Sequence, residues 1–194
     1  MVEVGAVEAN HLMKFSATEI PEVIVIEPRV WADSRGFLME TWNRLPFAEA
    51  GIKAEFVQDN HTHSVQGTLR GLHYQVQRPQ GKLLRVTEGK IFDVAVDLRR
   101  NSPTFGRWVG RELSDRNRLI LWVPAGFAHG FYVLSTTAEC IYKCTDYYAP
   151  QLERTLAWDD AQIGIKWPPM LGSSPLLSMK DAQGSPLATA ETFE

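Results

Sequence analysis

The sequence predicts an all-β protein, a sandwich or a barrel, and two observations predict it. Between residues 54 and 148, short runs rich in β-branched and aromatic residues follow one another, separated by turn residues. Many short strands at this spacing are typical of sandwiches and barrels. Helix signals are scarce. Before residue 150, only the segment 45–50 has the start and stop residues of a short helix, with Pro46 near its start and Gly51 after its end.

The strands can be placed by composition and by alternation. In 91–98 the apolar residues alternate with Asp93 and Asp97, which predicts a strand with one buried face. A turn is predicted at Glu88 and Gly89. The predicted strands are 23–26, 37–42, 55–61, 68–75, 82–87, 90–99, 105–113, 119–123, 131–134 and 138–148.

Composition is that of a soluble globular protein. The chain has 194 residues, 44% of them hydrophobic and 22% charged. This length suffices for one domain with a buried core, so we expect a single domain over 1–194. Residues 1–16 are predicted to form a loosely ordered leader. After Trp158 the chain is Pro-rich, and we expect irregular structure with a helical turn or two at its end.

Charge and hydropathy argue against several classes of protein. The formal net charge of −3 gives no basic excess, so nucleic acid is not an expected partner. The longest apolar run, 119–128, is interrupted by Pro124 and Gly126 and is too short to span a bilayer. The N-terminus carries acids where a signal peptide carries positive charge. We therefore expect a cytoplasmic protein with no membrane partner.

Histidines are concentrated in 58–75, QDNHTHSVQGTLRGLHYQ, which holds three of the five in the chain. One interpretation is a metal site, because metal-binding cupins use an HxH pair, a following Glu and a later His in a PxGxxH turn. The segment PAGFAH at 124–129 fits that turn. However, no Glu follows the His61 and His63 pair, and the alternative frame ends in Gln75. Neither frame offers three ligands that a transition metal prefers, so this interpretation is the weaker one.

The second interpretation is an acid–base site. Histidine titrates near neutrality and becomes a dependable base when a carboxylate fixes its tautomer. Chemistry on both faces of a substrate also needs an acid on the opposite side, for which Tyr142 is suited. Alternatively, Tyr142 shares a core-facing side with Cys140 and Cys144, and its hydroxyl only finds a hydrogen-bond partner. We expect both cysteines to be buried, reduced thiols, because their spacing on a strand is too long for a disulfide.

Several basic residues near strand ends or turns are candidates for an anion site. Each one alone is most often a solvated surface charge. If they converge at the opening of one cleft, they would form a phosphate-binding site. The candidates are Arg35, Arg70, Lys82, Arg85 and Lys180.

Beyond these patterns, the chain resembles the dTDP-4-dehydrorhamnose 3,5-epimerases, also called dTDP-4-keto-6-deoxyglucose 3,5-epimerases, of dTDP-L-rhamnose synthesis. The combination of LRGLHYQ, PxGFAHGF and SPTFG is highly specific, and the matches run in family order from about residue 21 to residue 181. The other matching stretches are DSRGF, FVQDNH, QGKLLRV, FDVAVDLRRNSPTFGRW, YKCTDYYAP and SMKDA. The resemblance implies a double-sheet jelly roll, a cupin-like β-barrel with a few short helices, that uses neither a cofactor nor a metal.

The resemblance also implies a substrate, a reaction and a set of residues. The substrate would be a dTDP-linked 4-keto-6-deoxyhexose, inverted at C3 and C5 through enolates. The implied catalytic residues are His73 as the base, Asp181 as its partner, Tyr142 as the acid and Lys82 as the stabiliser of the enolate oxygen. The implied substrate-binding residues are Arg35, Glu40, Gln58, Asp59, Asn60, Arg70, His129, Tyr148, Glu153 and Lys180, with Tyr148 and Phe37 as thymine-stacking aromatics. Family members are homodimers in which an N-terminal segment reaches the neighbour's site, which would allow Arg35 and Glu40 to act in trans.

Two questions stay open at this level. Arg70 and His73 have opposite parity, so a regular strand would send them to opposite faces, and we hypothesise that a bulge at Gly71 reconciles them. Relatives in antibiotic-sugar pathways invert only C3 or only C5 with much the same residues. A mono-epimerase therefore remains an alternative, beside a metal-dependent cupin enzyme and a non-catalytic sugar-nucleotide binding module.

Overall fold

The structure is a computed structural model that describes residues 13–170, 172 and 174–194. Strands dominate the described residues, and the two helices are short. The strands are β1 (Met13–Ala17), β2 (Ile24–Pro28), β3 (Val30–Asp33), β4 (Gly36–Met39), β5 (Gln58–Val65), β6 (Leu69–Gln75), β7 (Lys82–Asp97), β8 (Trp108–Ser114), β9 (Ile120–Val123), β10 (Phe127–Cys144) and β11 (Glu153–Thr155). The helices are α1 (Arg44–Glu49) and α2 (Met179–Ala182), and a 3₁₀ turn spans Pro150–Leu152.

The large sheet folds into two layers, and two long antiparallel strands, β7 and β10, run through both layers. They pair with each other, with register shifts near the middle. The first half of β7 also pairs with β9 and its second half with β8. The first half of β10 also pairs with β6 and its second half with β5. The result is one layer ordered β1-β2-β9-β7-β10-β5 and another ordered β8-β7-β10-β6-β11, which confirms the predicted double-sheet jelly roll.

The main core lies between these two layers. Leu84 from the first half of β7 and Ala95 from its second half belong to the same apolar cluster, together with Phe131 of β10. Two other clusters cover the outer faces of the layers. In one of them Phe47 of α1 packs with Trp122 of β9. Burial of this kind contributes roughly 1.5–3 kcal/mol per large apolar side chain.

The predicted turn at Glu88 and Gly89 is wrong, because β7 runs through it without interruption. Gly89 has φ +77°, and a Cβ there would lie 2.1 Å from the Thr137 carbonyl oxygen. The glycine therefore marks an irregularity in a long strand where β10 approaches closely. Likewise, the predicted strands 131–134 and 138–148 are not separate, because both fall in the single strand β10, which ends at Cys144; residues 145–148 are not strand.

The prediction that β7 buries only one face is also wrong, since Asp93 and Asp97 are both fully buried. The layer of β8 and β6 is covered on its outer side as well, by the chain that follows β11. Buried carboxylates need donors. Asp97 accepts hydrogen bonds from Arg99 and Thr104, and Asp93 is bound to His129.

The predicted leader needs correction where the structure describes it. Residues 13–16 belong to β1, which pairs with β2, and Met13 is buried; residues 1–12 lie outside the described part of the chain. The short helix predicted at 45–50 is confirmed as α1, whose first turn is capped by the Asn43 side chain, and the helical turn near the end is α2. Among the described residues, no helix is long and apolar enough to cross a membrane.

Candidate active site

A polar cleft of about 310 Å³ lies where residues from both layers meet. Strands β5, β6, β7, β10 and β11 all contribute side chains, and α2 contributes one more. Most of the residues predicted for the site are brought together here. The lining residues are Gln58, Asn60, Arg70, His73, Gln80, Lys82, Tyr142, Cys144, Tyr148, Glu153 and Lys180.

A bulge in β6 aligns Arg70 with His73. The pairing of β6 with β10 shifts by one residue between them, so that Gly71 and Leu72 stand opposite the single residue Gly130. Gly71 has φ +125°, and a Cβ there would lie 2.5 Å from the Gly130 Cα atom, so only glycine fits. Both side chains consequently line the same cleft. The hypothesis of a bulge at Gly71 is confirmed.

His73 is held by Asp181, which reaches the sheet from α2. The His73 Nε2 atom lies 2.5 Å from Asp181 Oδ1. The carboxylate is 5% exposed and also accepts hydrogen bonds from the Ser178 hydroxyl (2.7 Å) and the Gly71 backbone amide (3.3 Å). Ser178 is the N-cap of α2. Because Nε2 is bound to Asp181, the Nδ1 atom is the ring nitrogen left to act in the cleft.

The electrostatics of this pair favour a neutral imidazole. Burial lowers the pKa of His73 from its ordinary value, and the nearby ammonium groups of Lys180 and Lys82 act in the same direction, while the hydrogen bond to Asp181 opposes them. Burial would raise the pKa of Asp181, but the hydrogen bonds from His73 and Ser178 lower it to about 2. At neutral pH the site thus holds a carboxylate beside an unprotonated histidine, which is ready to accept a proton.

Tyr142 projects into the cleft from the other layer. It lies in the half of β10 that pairs with β5 and β7, whereas His73 lies on β6. Tyr142 lines the cleft and also packs against the main core. Burial raises its pKa to about 12, so the phenol keeps its proton across the neutral range. Its neighbours on the strand, Cys140 and Cys144, are buried free thiols as predicted.

Several positively charged side chains lie around His73 and Tyr142. The Lys82 ammonium lies 3.3 Å from the His73 carbonyl oxygen, and burial lowers its pKa. Lys180 binds one carboxylate oxygen of Glu153 at 2.9 Å, and the Tyr148 hydroxyl donates to the other at 2.9 Å. With Arg70 these lysines form the converging set that the sequence left undecided. Of the five basic candidates, the remaining two, Arg35 and Arg85, do not line this cleft.

Two predicted substrate-binding residues point elsewhere within the chain. Asp59 lies between Gln58 and Asn60 on β5, so it faces the opposite side, where Lys143 binds it at 3.0 Å. His129 is 7% exposed and does not line the cleft, because its Nε2 atom is bound to the buried carboxylate of Asp93 at 2.9 and 3.0 Å. Sequence parity would have identified the orientation of Asp59.

Other predicted residues lie on or near the hairpin of β3 and β4, which forms a separate two-stranded sheet. Arg35, at its turn, is exposed and pairs with Asp33 at 2.6 Å. Phe37 is 56% exposed, and the guanidinium of Arg118 lies 4.2 Å from its ring centroid. Glu40 follows the hairpin and accepts a hydrogen bond from Asn43. Within one chain these residues do not line the cleft.

The HxH pair is not part of the cleft either. His61 binds Glu139 at 3.0 Å on β10, and His63 is exposed. In the described part of the chain, no three histidine, cysteine or carboxylate side chains are grouped as metal ligands would be.

Sequence reasoning missed three residues of the site. Gln80 and Cys144 line the cleft, and Ser178 positions Asp181. Each had a signal: Gln80 precedes Lys82 by two residues in QGK, and Cys144 shares a strand face with Tyr142. The SMKD segment fits the Ser-x-x-Asp pattern of a helix N-cap.

The fold and the cleft together define a jelly-roll protein with a histidine–aspartate pair, a tyrosine and three cationic side chains at one cleft. Comparison with known proteins identifies the family within that class. The family model of dTDP-4-dehydrorhamnose 3,5-epimerase matches residues 17–189, and the chain belongs to this family.

Individual relatives agree with this assignment. A dTDP-4-dehydrorhamnose 3,5-epimerase of Pseudomonas aeruginosa is 56% identical over 182 residues, which cover 93% of this chain and 99% of that protein. The dTDP-6-deoxy-D-glucose-3,5-epimerase of Legionella pneumophila, solved with dTDP-4-keto-L-rhamnose, has a TM-score of 0.88 and 49% identity, covering 92% of this chain and 95% of that one. A 3′-monoepimerase of Streptomyces bikiniensis, ChmJ, solved with dTDP-quinovose, has a TM-score of 0.82 and 33% identity, covering 89% and 87%.

Proposed function

We propose that the protein inverts C3 and C5 of dTDP-4-keto-6-deoxy-D-glucose to give dTDP-4-keto-L-rhamnose in dTDP-L-rhamnose synthesis, without a cofactor or a metal. One observation carries the proposal. The Asp181-bound ring of His73 and the phenol of Tyr142 approach one cleft from different layers, with the Lys82 ammonium beside them. The names of the relatives support the substrate.

The first half of the reaction is a proton abstraction. The C4 carbonyl of the substrate acidifies the protons on C3 and C5. The Nδ1 atom of His73 takes one of them, and the electron pair of the C–H bond moves toward the C4 oxygen to give an enolate. Lys82 stabilises the charge on that oxygen, and Asp181 stabilises the imidazolium that forms.

The second half returns a proton to the opposite face of the same carbon. Tyr142 donates its phenolic proton, the enolate collapses to the ketone, and the centre is inverted. His73 then loses a proton to solvent and Tyr142 regains one, so no net oxidation occurs and no proton is lost overall. A second round at the other carbon gives the doubly inverted product.

The remaining cleft residues hold the substrate. Arg70 and Lys180 suit the diphosphate, because guanidinium and ammonium groups form charge-assisted hydrogen bonds with phosphate oxygens. Gln58 and Asn60 offer amides at the wall of the cleft. Tyr148, which is 51% exposed at the cleft, stacks on the thymine.

We further propose that the protein is a cytoplasmic homodimer in which the β3–β4 hairpin completes the neighbour's site. The hairpin forms its own sheet and exposes Trp31, Phe37 and Leu38, an apolar surface that suits a protein partner. Arg35 would then act in trans. If so, a mixed dimer of Arg35→Ala and His73→Asn chains contains one intact site and recovers activity that neither variant has alone, whereas absence of recovery places Arg35 in cis or outside the site.

Proton exchange with solvent tests the epimerase proposal. In D₂O the protein should incorporate deuterium at both C3 and C5 of the 4-keto sugar nucleotide. Changing Tyr142 to Phe should slow epimerisation about 10²–10⁴-fold, the usual contribution of one acid–base group. Label at a single carbon would instead identify a mono-epimerase, the activity named for ChmJ. Binding with no label at either carbon would identify a non-catalytic binding module.

A further inference from the structure

Glutamine side chains hold the segment 145–149 that presents Tyr148 to the cleft. The segment lies between the end of β10 and the 3₁₀ turn, and after the Thr145 amide, which donates to the Gly81 carbonyl, sheet hydrogen bonds do not fix its backbone. Buried backbone groups outside regular structure need side-chain partners. Three glutamines supply them on four consecutive residues: Gln80 donates to the Asp146 carbonyl (2.7 Å), Gln75 donates to the Tyr147 carbonyl (3.3 Å), Gln58 accepts from the Tyr148 amide (2.8 Å) and Gln75 accepts from the Ala149 amide (2.7 Å).

Of these three, Gln75 is the one that cannot act by touching substrate. Gln58 and Gln80 line the cleft, whereas Gln75 does not and is 3% exposed. Its amide nitrogen makes a further hydrogen bond to the Arg78 carbonyl at 2.9 Å. The side chain therefore ties the segment after β10 to the segment after β6, and its polar atoms are all engaged.

We propose that Gln75 is a positioning residue for nucleotide binding, which fixes segment 145–149 so that Tyr148 faces the bound base. The proposal rests on the function proposed above for Tyr148. Gln75 stands two residues after His73, at the place where a metal-binding HxH pair would have its second imidazole. In this chain the position serves the binding segment instead of a ligand set.

Gln75 should affect the affinity for the nucleotide and not the rate of the proton-transfer steps. Without Gln75 the segment samples other conformations, and the apparent dissociation constant rises by the inverse of the fraction that remains competent to bind. The proton-transfer groups His73 and Tyr142 do not belong to this segment. Losing Gln75 should therefore weaken nucleotide binding and leave turnover at saturation nearly unchanged.

Gln75→Met tests this, because methionine keeps the length of the side chain and removes its hydrogen bonds. We expect the Kd of thymidine diphosphate, measured by calorimetry, to rise about tenfold for a segment that is competent roughly one tenth of the time. The KM of the 4-keto sugar nucleotide should rise equally, with kcat within about twofold. Gln66→Met is the matched control, since Gln66 is exposed, makes one side-chain hydrogen bond to the Leu134 carbonyl and lies outside the cleft.

A double-mutant cycle shows whether the effect passes through Tyr148. Tyr148→Ala should weaken binding by itself, and adding Gln75→Met should then cost little more, because both changes remove the same contact. Additive effects would overturn the positioning role. Gln75→Asn guards against a folding defect: it keeps a neutral amide but is one methylene shorter and cannot reach all three partners, so it should reproduce the binding loss in a folded protein. Unchanged binding in both Gln75 variants, or a fall in kcat alone, would also overturn it.

The two proposals fail differently. If the wild-type protein exchanges deuterium while Gln75→Met binds thymidine diphosphate normally, the positioning role is wrong and the epimerase stands. If the wild-type protein exchanges no deuterium while Gln75→Met weakens nucleotide binding, the positioning role stands and the epimerase is wrong.

Discussion

Two histidine–carboxylate pairs lie side by side in this barrel and have different properties. His73 on β6 and His129 on β10 are direct cross-strand partners. Each has its Nε2 atom bound to an aspartate, at 2.5 Å for Asp181 and at 2.9 Å for Asp93. The side chain of His73 is 24% exposed, while that of His129 is 7% exposed. A carboxylate partner is therefore not enough to identify a base; the second ring nitrogen must also reach the substrate.

The carboxylates explain this difference in exposure. Asp93 comes from β7, the strand next to β10, so its pair is enclosed in the sheet on all sides. Asp181 comes from α2, outside the sheet, and is held there by Ser178. The pair of His129 and Asp93 is therefore buried. In the other pair, Asp181 covers one side of the His73 ring and leaves the other side open to the cleft.

The strongest way to break this comparison is to replace His73. His73→Asn should reduce deuterium exchange at C3 and C5 by about 10⁴-fold, the upper range for one acid–base group, because no other histidine among the described residues lines the cleft. Its free energy of unfolding in urea should stay within about 1 kcal/mol of wild type, because Asp181 keeps its hydrogen bonds from the Ser178 hydroxyl and the Gly71 amide. Substantial residual exchange would mean that another group is the base.

Replacing the histidine of the enclosed pair, His129, should instead lower the stability of the protein. His129→Ala leaves the Asp93 carboxylate buried without its partner, which costs about 3–5 kcal/mol in the free energy of unfolding. Urea denaturation followed by tryptophan fluorescence measures this. A matched loss in His73→Ala would contradict the distinction between the two pairs.

Asp181→Asn sharpens the comparison from the side of the carboxylate. The amide cannot stabilise an imidazolium as a carboxylate does, so kcat should fall by about 10²-fold, with KM changing less. Measuring both constants distinguishes a weakened base from lost binding. Ser178→Ala serves as a milder test, because it removes one hydrogen bond from Asp181 and keeps the carboxylate.

The pH profile of kcat/KM gives the smallest expected effect. As the proposed base, His73 must be neutral to act, and burial lowers its pKa below the ordinary value of 6.5, so activity should fall only as pH drops through that lowered value. Asp181→Asn removes the hydrogen bond that raises this pKa, and the acidic limb should move to still lower pH. On the alkaline side Tyr142, with a pKa of about 12, keeps its proton, and loss of charge on Lys82, whose pKa is lowered from 10.5, should set the limb. An acidic limb above pH 6.5 would contradict the assignment of His73.

Much of the fold could be predicted because alternation and turn residues are local. The predicted strand 119–123 matches β9, and the helix at 45–50 matches α1. Local signals could not show that β7 passes through Glu88 and Gly89, since a glycine with positive φ serves a hairpin turn and a strand irregularity equally well. The burial of Asp93 and Asp97 depends on which other segments cover the sheet.

The site was predictable where a motif or parity applied. The bulge at Gly71 follows from the need to put Arg70 and His73 on one face, and parity excludes Asp59 from the cleft. The role of Gln75 could not be read from its position, because its partners come from segments that are remote in sequence and meet only in the folded chain.

The bulge in β6 also determines which mutations the site can survive. A side chain at position 71 would meet the Gly130 Cα atom, and if the strand then relaxed to regular pairing with its residue number unchanged, Arg70 and His73 would lie on opposite sides of the strand. Every side chain of the cleft would still be present in the protein, yet Arg70 and His73 would no longer share a cavity. A change of residue type at position 71 alone is therefore enough to rearrange the cleft, and in a library selected for activity this glycine should tolerate substitution less than its neighbours on β6.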